Sequence, residues 1–352
     1  MIPSPPRAPV QPTLYDVARE AGVSTATVSR VLHAQERVSP ATRKRVLGVI
    51  EALGYVPDAA AQSMARQRKE VIGLLAVENR SPETVVEKEG LLFIEEVWRG
   101  VETSLNQVEW SLLIASLNPE DPERAFQRML QVSAKVDGML ITEGIVGSDR
   151  LAQLAARTPI VLIAGSLDQP YADVFAADNR AGTTALVSHL IQEHGASRLF
   201  AVTGPLGAPD AATRMAALEE TIARYPGARL TGTFPGRFGS ADGERAVREI
   251  VSLPRPHWPD AIVCANDQMA IGAVRELQAS GVRVPADIAV VGFDDVHAGV
   301  LLSPALTTVR QQMGLLAERA CTHLLARIAD PALPRQVELQ PTELVIRQSC
   351  GC

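Results

Sequence analysis

At 352 residues, 46% hydrophobic and 21% charged, the chain exceeds one typical domain and has the balance of a soluble globular protein with two or three. No apolar run approaches the ~18 residues that span a bilayer, and the proline-rich stretch Met1 to Pro12 lacks the apolar segment of a secretory signal, so it reads as a flexible tail in a cytoplasmic protein. The net charge of −6 divides unevenly: residues 1–70 carry ten Lys/Arg against six acids, and the remainder carries 24 against 34.

The first predicted elements are two short helices. Thr13 can cap the first, with Asp16 three residues on closing a capping box. Leu14, Val17 and Ala18 then share one face, and Ala21-Gly22-Val23 supplies a turn. Ser24 caps a second helix whose Val28, Val31 and Leu32 point inward. Its outward face holds Thr25, Ala26, Ser29 and Arg30, small polar side chains plus an arginine, which suits reading base edges in a DNA major groove. Ser39 and Pro40 open a third helix running to about Leu53, with Val46, Val49, Ile50 and Leu53 closing a small core and Gly54 ending it. Residues 58–68 form a short, weakly apolar segment, too short to be helical alone in water.

From residue 71 the pattern alternates between strand and helix. Strands are expected at 71–77, 111–115, 138–142 and 160–163, with helices at 94–107, 122–134 and 148–156 between them. A second set opens with strand 174–177 and continues through helices 180–194, 210–224, 240–252 and 267–280, with strands 198–203, 229–233, 261–264 and 288–293. Two such sets predict two parallel, doubly wound sheets with a ligand cleft outside the strand ends. Helix 311–328 and strands within 336–347 pack on one lobe or the other.

Cys264 and Cys321 lie in apolar stretches and read as inert core residues. Cys350-Gly351-Cys352 is a pair able to chelate or oxidise, but two thiols fall short of a structural zinc site and no histidine is near in sequence, so no metal and no cofactor is expected. Asp294-Asp295 and Asn266-Asp267 supply carboxylates without a nucleophile elbow, a phosphate-binding glycine loop or a His-Glu metal pattern, which argues against an enzyme.

The head motif Leu14-Tyr-Asp-Val-Ala, Ala21-Gly-Val-Ser and Thr27-Val-Ser-Arg-Val-Leu continues into Val38-Ser, Thr42-Arg43 and Leu53-Gly-Tyr. Asp178-Asn179-Arg180-Ala181-Gly182, Ala265-Asn266-Asp267, Val291-Gly292-Phe293-Asp294-Asp295 and Ser303-Pro304 through Gln311 follow in order. With these motifs the chain, from residue 13 to about 348, resembles the lac-repressor (LacI/GalR) family of bacterial transcription regulators.

The resemblance implies a helix-turn-helix headpiece at 13–57, a hinge helix at 58–69 and a two-lobed periplasmic-binding-protein-like core. One lobe would comprise 70–176 plus about 309–335, the other 177–308 plus about 336–352. It places Thr25, Ala26 and Arg30 over base edges, Thr27, Ser29 and Arg43 at phosphates, and Met64 as an apolar wedge in the minor groove. His33 stands where many relatives carry asparagine. In the cleft it assigns Arg214, Asn266 and Asp294 as polar partners and Phe238 as a stacking face, a set suited to a sugar. Other readings stay open: Thr25 and Ala26 as plain surface, Met64 packed on the body, and Asn266 and Asp294 as caps of strand-end loops. Ala217-Leu218 replaces a family Gly-aromatic pair, and Ile163-Ala164-Gly165-Ser166 offers little polarity, so pocket shape is expected to differ. Phe93 and Trp98 lie near the cleft-facing region, Trp98 at core-like helical spacing. The expected partners are a pseudo-palindromic duplex operator, a small-molecule effector (with a purine or a protein co-regulator as alternatives) and a second copy of the chain in a homodimer.

Overall fold

The computed structural model describes residues 12–32, 38–56, 68–77, 91–142 and 146–352, in two compact units, Met1–Lys69 and Glu70–Cys352. His33, Met64 and most of the expected hinge helix lie outside the described residues.

The first unit is built by caps. In α1 (Leu14–Ala21) the Thr13 hydroxyl accepts from the Asp16 amide, while the Thr13 amide and hydroxyl donate to the Asp16 carboxylate at 2.9 and 2.7 Å. Gly22, at φ +60°, ends the helix in a left-handed turn that other L-residues adopt at a cost. The Ser24 side chain accepts from the Thr27 amide to start α2 (Thr25–Leu32), and Ser39 does the same from Thr42 at the head of α3 (Pro40–Leu53). Val17, Ala18, Ala21, Val28, Val31, Val46 and Tyr55 form the buried core, edged by Leu14, Leu32, Val49, Ile50 and Leu53.

In the second unit, strands β1 (Val71–Val77), β2 (Ser111–Leu117), β3 (Gly138–Thr142), β4 (Ile160–Ile163) and β5 (Asp173–Ala177) form a parallel sheet with β11 (Val337–Gln340). Its order is β11-β5-β4-β3-β1-β2. Helices α4 (Leu91–Asn106) and α12 (Met313–Ala329) bury one face, α5 (Pro122–Ser133) and α6 (Ser148–Ala155) the other. The second lobe is a parallel sheet of β6 (Arg198–Thr203), β7 (Arg229–Pro235), β8 (Ala261–Cys264) and β9 (Ala289–Val291) in the order β7-β6-β8-β9. α7 (Asn179–His194) and α8 (Pro209–Ile222) cover one face, α9 (Ser240–Ser252) and α10 (Asp267–Ala279) the other. Every residue of β3, β4 and β8 is buried, as strands covered on both faces require.

Two assignments shift. The strand at 173–177 closes the first sheet and does not open the second. The returning chain stays with the first lobe through β11, so the expected change of lobe at about 336 falls after Gln340 instead. Main-chain pairing of Val337–Gln340 with Val174–Ala177 holds this stretch in the first sheet, against the boundary that the resemblance implied. β12 (Glu343–Val345) then pairs antiparallel with β10 (Thr308–Arg310), which belonged to no expected strand, and α11 (His297–Val300) is a further short turn.

Three chain crossings therefore join the lobes side by side: β5 to α7, β10 to α12, and β11 to β12. They are stitched together. The Asp178 amide donates to the Gln340 carbonyl at 2.8 Å, Thr342 donates its hydroxyl to the Asp178 carbonyl at 3.0 Å, and buried Gln340 donates to the carbonyls of Gln311 and Gln312 at 3.2 and 3.3 Å.

Candidate functional site

The expected DNA-facing residues of the head reach its surface to different degrees. Ala26 and Arg30 are exposed on α2, Thr25 and Ser29 partly so, and Arg43 is exposed on α3. Thr27 is also half-buried, its hydroxyl 2.9 Å from that of Ser24. Tyr15, to which sequence reasoning gave no role, is 76% exposed on α1.

In the core, the strand ends of the second lobe converge on Arg214. It projects from α8, whose first turn is set by Pro209, and is 6% exposed. Its Nε donates to Asn179 Oδ1 at 2.7 Å and its Nη1 to the Ala265 carbonyl at 2.5 Å. Its guanidinium carbon lies 3.8 Å from the centroid of the Phe293 ring, a cation–π stack. The carboxylates of Asp210 and Asp294 stand 3.8 and 3.7 Å away, too far for direct hydrogen bonds. Asn179 completes the arrangement by donating to Asp210 Oδ1 at 2.9 Å and to the Ala177 carbonyl.

Asp294 follows β9 at φ +121°, an unusual backbone state for a residue with a side chain. Burial pushes its carboxyl up to about 7; Arg214 and a hydrogen bond from Gln311 oppose the rise, and the negative charges of Asp210 and Glu96 add to it. Asp267 beside it is fully buried. Desolvation and then the Asp294 charge raise its carboxyl well above the ordinary range, against hydrogen bonds from Thr308 and the Val296 amide. Glu96, reaching from α4 of the first lobe, is raised by desolvation and then by Asp295. The cleft is therefore rich in carboxyls, with Arg214 as the cation nearest Asp294.

Asn266 is committed to structure in this arrangement. Its Oδ1 caps α10 by accepting from the Met269 amide at 3.0 Å, while its Nδ2 donates to the Phe238 carbonyl at 3.1 Å and to Gln268 at 2.6 Å. It holds the Phe238 loop, where Phe238 sits at φ +67° with its ring over Gly204; a Cβ on Gly204 would lie 2.6 Å from that ring.

These observations meet those from relatives. Residues 13–58 match the family described as "Bacterial regulatory proteins, lacI family", and residues 187–350 a "Periplasmic binding protein-like domain". The HTH-type transcriptional repressor PurR of Aliivibrio fischeri (strain ATCC 700601 / ES114) is 32% identical over 345 residues, 96% of this chain and 98% of that protein. The chain belongs to the LacI family. The ribose operon repressor of Escherichia coli (strain K12) is likewise 32% identical over 345 residues, with the same coverage. Among solved structures, the lac repressor dimer bound to operator and the anti-inducer ONPF matches with a TM-score of 0.83 at 27% identity, covering 96% of this chain and 99% of that one. The CelR–cellobiose complex matches with a TM-score of 0.69 at 29% identity and the same coverage.

This LacI-family regulator thus pairs a DNA-binding helix-turn-helix head with a two-lobed ligand-binding core. Of the four cleft residues expected from its sequence, Arg214 and Asp294 are brought together, while Asn266 caps α10 and is hydrogen-bonded to Phe238 in the neighbouring loop. Asn179, Asp210 and Gln311 were missed as partners, although Asn179 and Gln311 stand inside the quoted motifs. The departures at Ala217 and Leu218 fall in the lobe interior, 1% and 3% exposed, where Leu218 lines a small pocket with Met215, Phe293 and Arg214. Trp98, expected as core, is 41% exposed because its position on α4 lies next to buried Val97 and off the packed stripe. The side chain of Phe93 lies outside the described residues.

Proposed function

We propose that this LacI-family protein is a non-enzymatic cytoplasmic repressor of carbohydrate-utilisation genes whose operator affinity is set by a neutral polyhydroxylated ligand, a sugar, between its lobes. It binds a pseudo-palindromic operator as a homodimer. Thr25, Ala26 and Arg30 meet base edges, Thr27, Ser29 and Arg43 meet phosphates, and Met64 parts a central base step. Arg214, Asn179 and Asp294 hydrogen-bond ligand hydroxyls, Phe238 stacks on the C–H face, and Asn266 holds the Phe238 loop.

The observation that carries this reading is the Arg214–Asn179–Asp210–Asp294 constellation, in which carboxyl acceptors outnumber the one cation. Hydroxyl donors satisfy such acceptors; a phosphorylated sugar would be repelled by them. The PurR relatives favour a purine base as the second reading, with its plane on Phe238.

Calorimetric titration of the full-length protein with ribose, cellobiose, glucose, ribose 5-phosphate, hypoxanthine and guanine tests the proposal. A neutral sugar should bind, its phosphate at least about tenfold more weakly, and Arg214→Ala should abolish the heat. Binding of a purine alone would install the second reading, and silence across the panel would favour a protein co-regulator. Selection from a randomised duplex library should recover a palindrome; sequence-independent retention that vanishes with modest salt would overturn the operator reading.

A further inference from the structure

The chain segment that ends at Cys352 folds back onto the last turn of α7. The turn at Gln348–Cys350 is fixed by Ser349, which is fully buried, donating its hydroxyl to the Val290 carbonyl at 2.6 Å and accepting from the Thr307 amide at 2.8 Å. Gly351, at φ +113°, then reverses the backbone so that Cys350 and Cys352 both face α7. A Cβ at Gly351 would lie 3.1 Å from the His194 ring, so glycine is what the approach admits.

Four ligand-type atoms converge there, all within 4.8 Å of one another. His189 Nε2 and His194 Nε2 are 3.2 Å apart; Cys350 Sγ is 3.6 Å from His189 Nε2; Cys352 Sγ is 3.6 Å from His189 Nε2 and 3.4 Å from His194 Nε2. An imidazole nitrogen carries one lone pair or one proton, so His189 Nε2 cannot serve three neighbours by hydrogen bonding. One cation in the middle serves all of them. From ~2.0–2.1 Å Zn–N and ~2.3 Å Zn–S bonds, a tetrahedron has edges of about 3.3 Å between nitrogens and about 3.6 Å from nitrogen to sulfur. The spacing observed matches both.

We propose that His189, His194, Cys350 and Cys352 form a Cys2His2 site for a thiophilic divalent cation, zinc, in a structural role. Two thiolates and two imidazoles select zinc over hard oxygen-seeking cations, and four protein ligands leave no open position for catalysis. Thr307, its hydroxyl 3.2 Å from Cys350 Sγ, is placed as an outer-shell partner. α7 spans 16 residues, about 24 Å at ~1.5 Å per residue, and its other end carries Asn179 of the cleft. The metal therefore staples the 346–352 segment to the second lobe, remote from the effector.

The sequence hid this set because the cysteines and histidines are more than 150 residues apart, bridged only by the fold. The test is zinc content of the full-length protein purified with reductant, followed by titration of the metal-stripped protein with Zn2+ and Co2+. About one tightly held zinc per chain is expected, and cobalt should give the strong visible bands of a tetrahedral site with thiolate charge transfer. Cys352→Ser and His194→Asn, both at accessible positions, should each weaken zinc at least about tenfold, while operator binding reports that the variants are folded. Failure of the reduced protein to take up zinc, cobalt spectra without thiolate charge transfer, or undiminished affinity in both variants would overturn the site.

Discussion

Arg214 is held by four kinds of contact at once: a side-chain amide, a main-chain carbonyl, an aromatic face and two nearby carboxylates. That fixes its fork before any ligand arrives, and beside it burial brings the Asp294 carboxyl to change charge near neutrality. Because its carboxyl is raised to about 7 from an ordinary 3.8, its protonation favours the folded state. That contribution is complete below the ordinary value and is lost as pH rises through about 7. A ligand hydroxyl donating to the carboxylate works the other way. Effector affinity should therefore fall toward acid pH, up to tenfold per unit below about 7, and Asp294→Asn should flatten the profile in a titration series. In the head, Arg30→Ala should cost on the order of 1–3 kcal/mol of discrimination between operator and mutated operator in competition binding, with little change in non-specific affinity. The resemblance gave Arg214 and Asp294 as expected cleft residues, Asp294 from within the Val291–Asp295 motif, and the fold sets their side chains 3.7 Å apart. Asn179 and Gln311 were in view as letters but not as partners, since their geometry exists only once three crossings lie side by side.

At the scale of elements, each lobe contains a helix pair in contact through glycine. A Cβ on Gly100 of α4 would collide with the Gly314 carbonyl of α12, and one on Gly272 of α10 with the Ser240 carbonyl of α9. Gly272→Ala should destabilise the second lobe by about 1–3 kcal/mol, read by chemical denaturation, with the head unaffected. Ser39→Ala removes the cap of α3 and should lower head stability by about 1 kcal/mol. Helix starts such as Pro40 and Pro122 were readable to within a residue, because caps and prolines announce themselves locally. The lobe taken by Val337–Gln340 was not, since an edge strand that buries only its last residue, a polar one, is assigned by whichever backbone it pairs with.

Across the whole molecule, the cleft and the crossings share residues. Gln311 donates to Asp294 in the cleft, and its own carbonyl accepts from Gln340 in the crossing; Asp295 is clasped by Arg310 and Arg347 at 2.7 and 2.5 Å, one from each side of β10–β12. Gln311→Ala should leave effector affinity within a few-fold of the parent, yet reduce the effector's influence on operator binding about fivefold or more, measured as the ratio of operator affinities with and without ligand. The glycine contacts add a mechanical consequence. Where these helices touch backbone to backbone there is no side-chain layer to shear through, so sliding of α4 on α12, or of α9 on α10, is costly. Opening and closing of the lobes is then expected at the three adjacent crossings, with the core acting as a caliper whose jaws are metered by a few residues at the pivot.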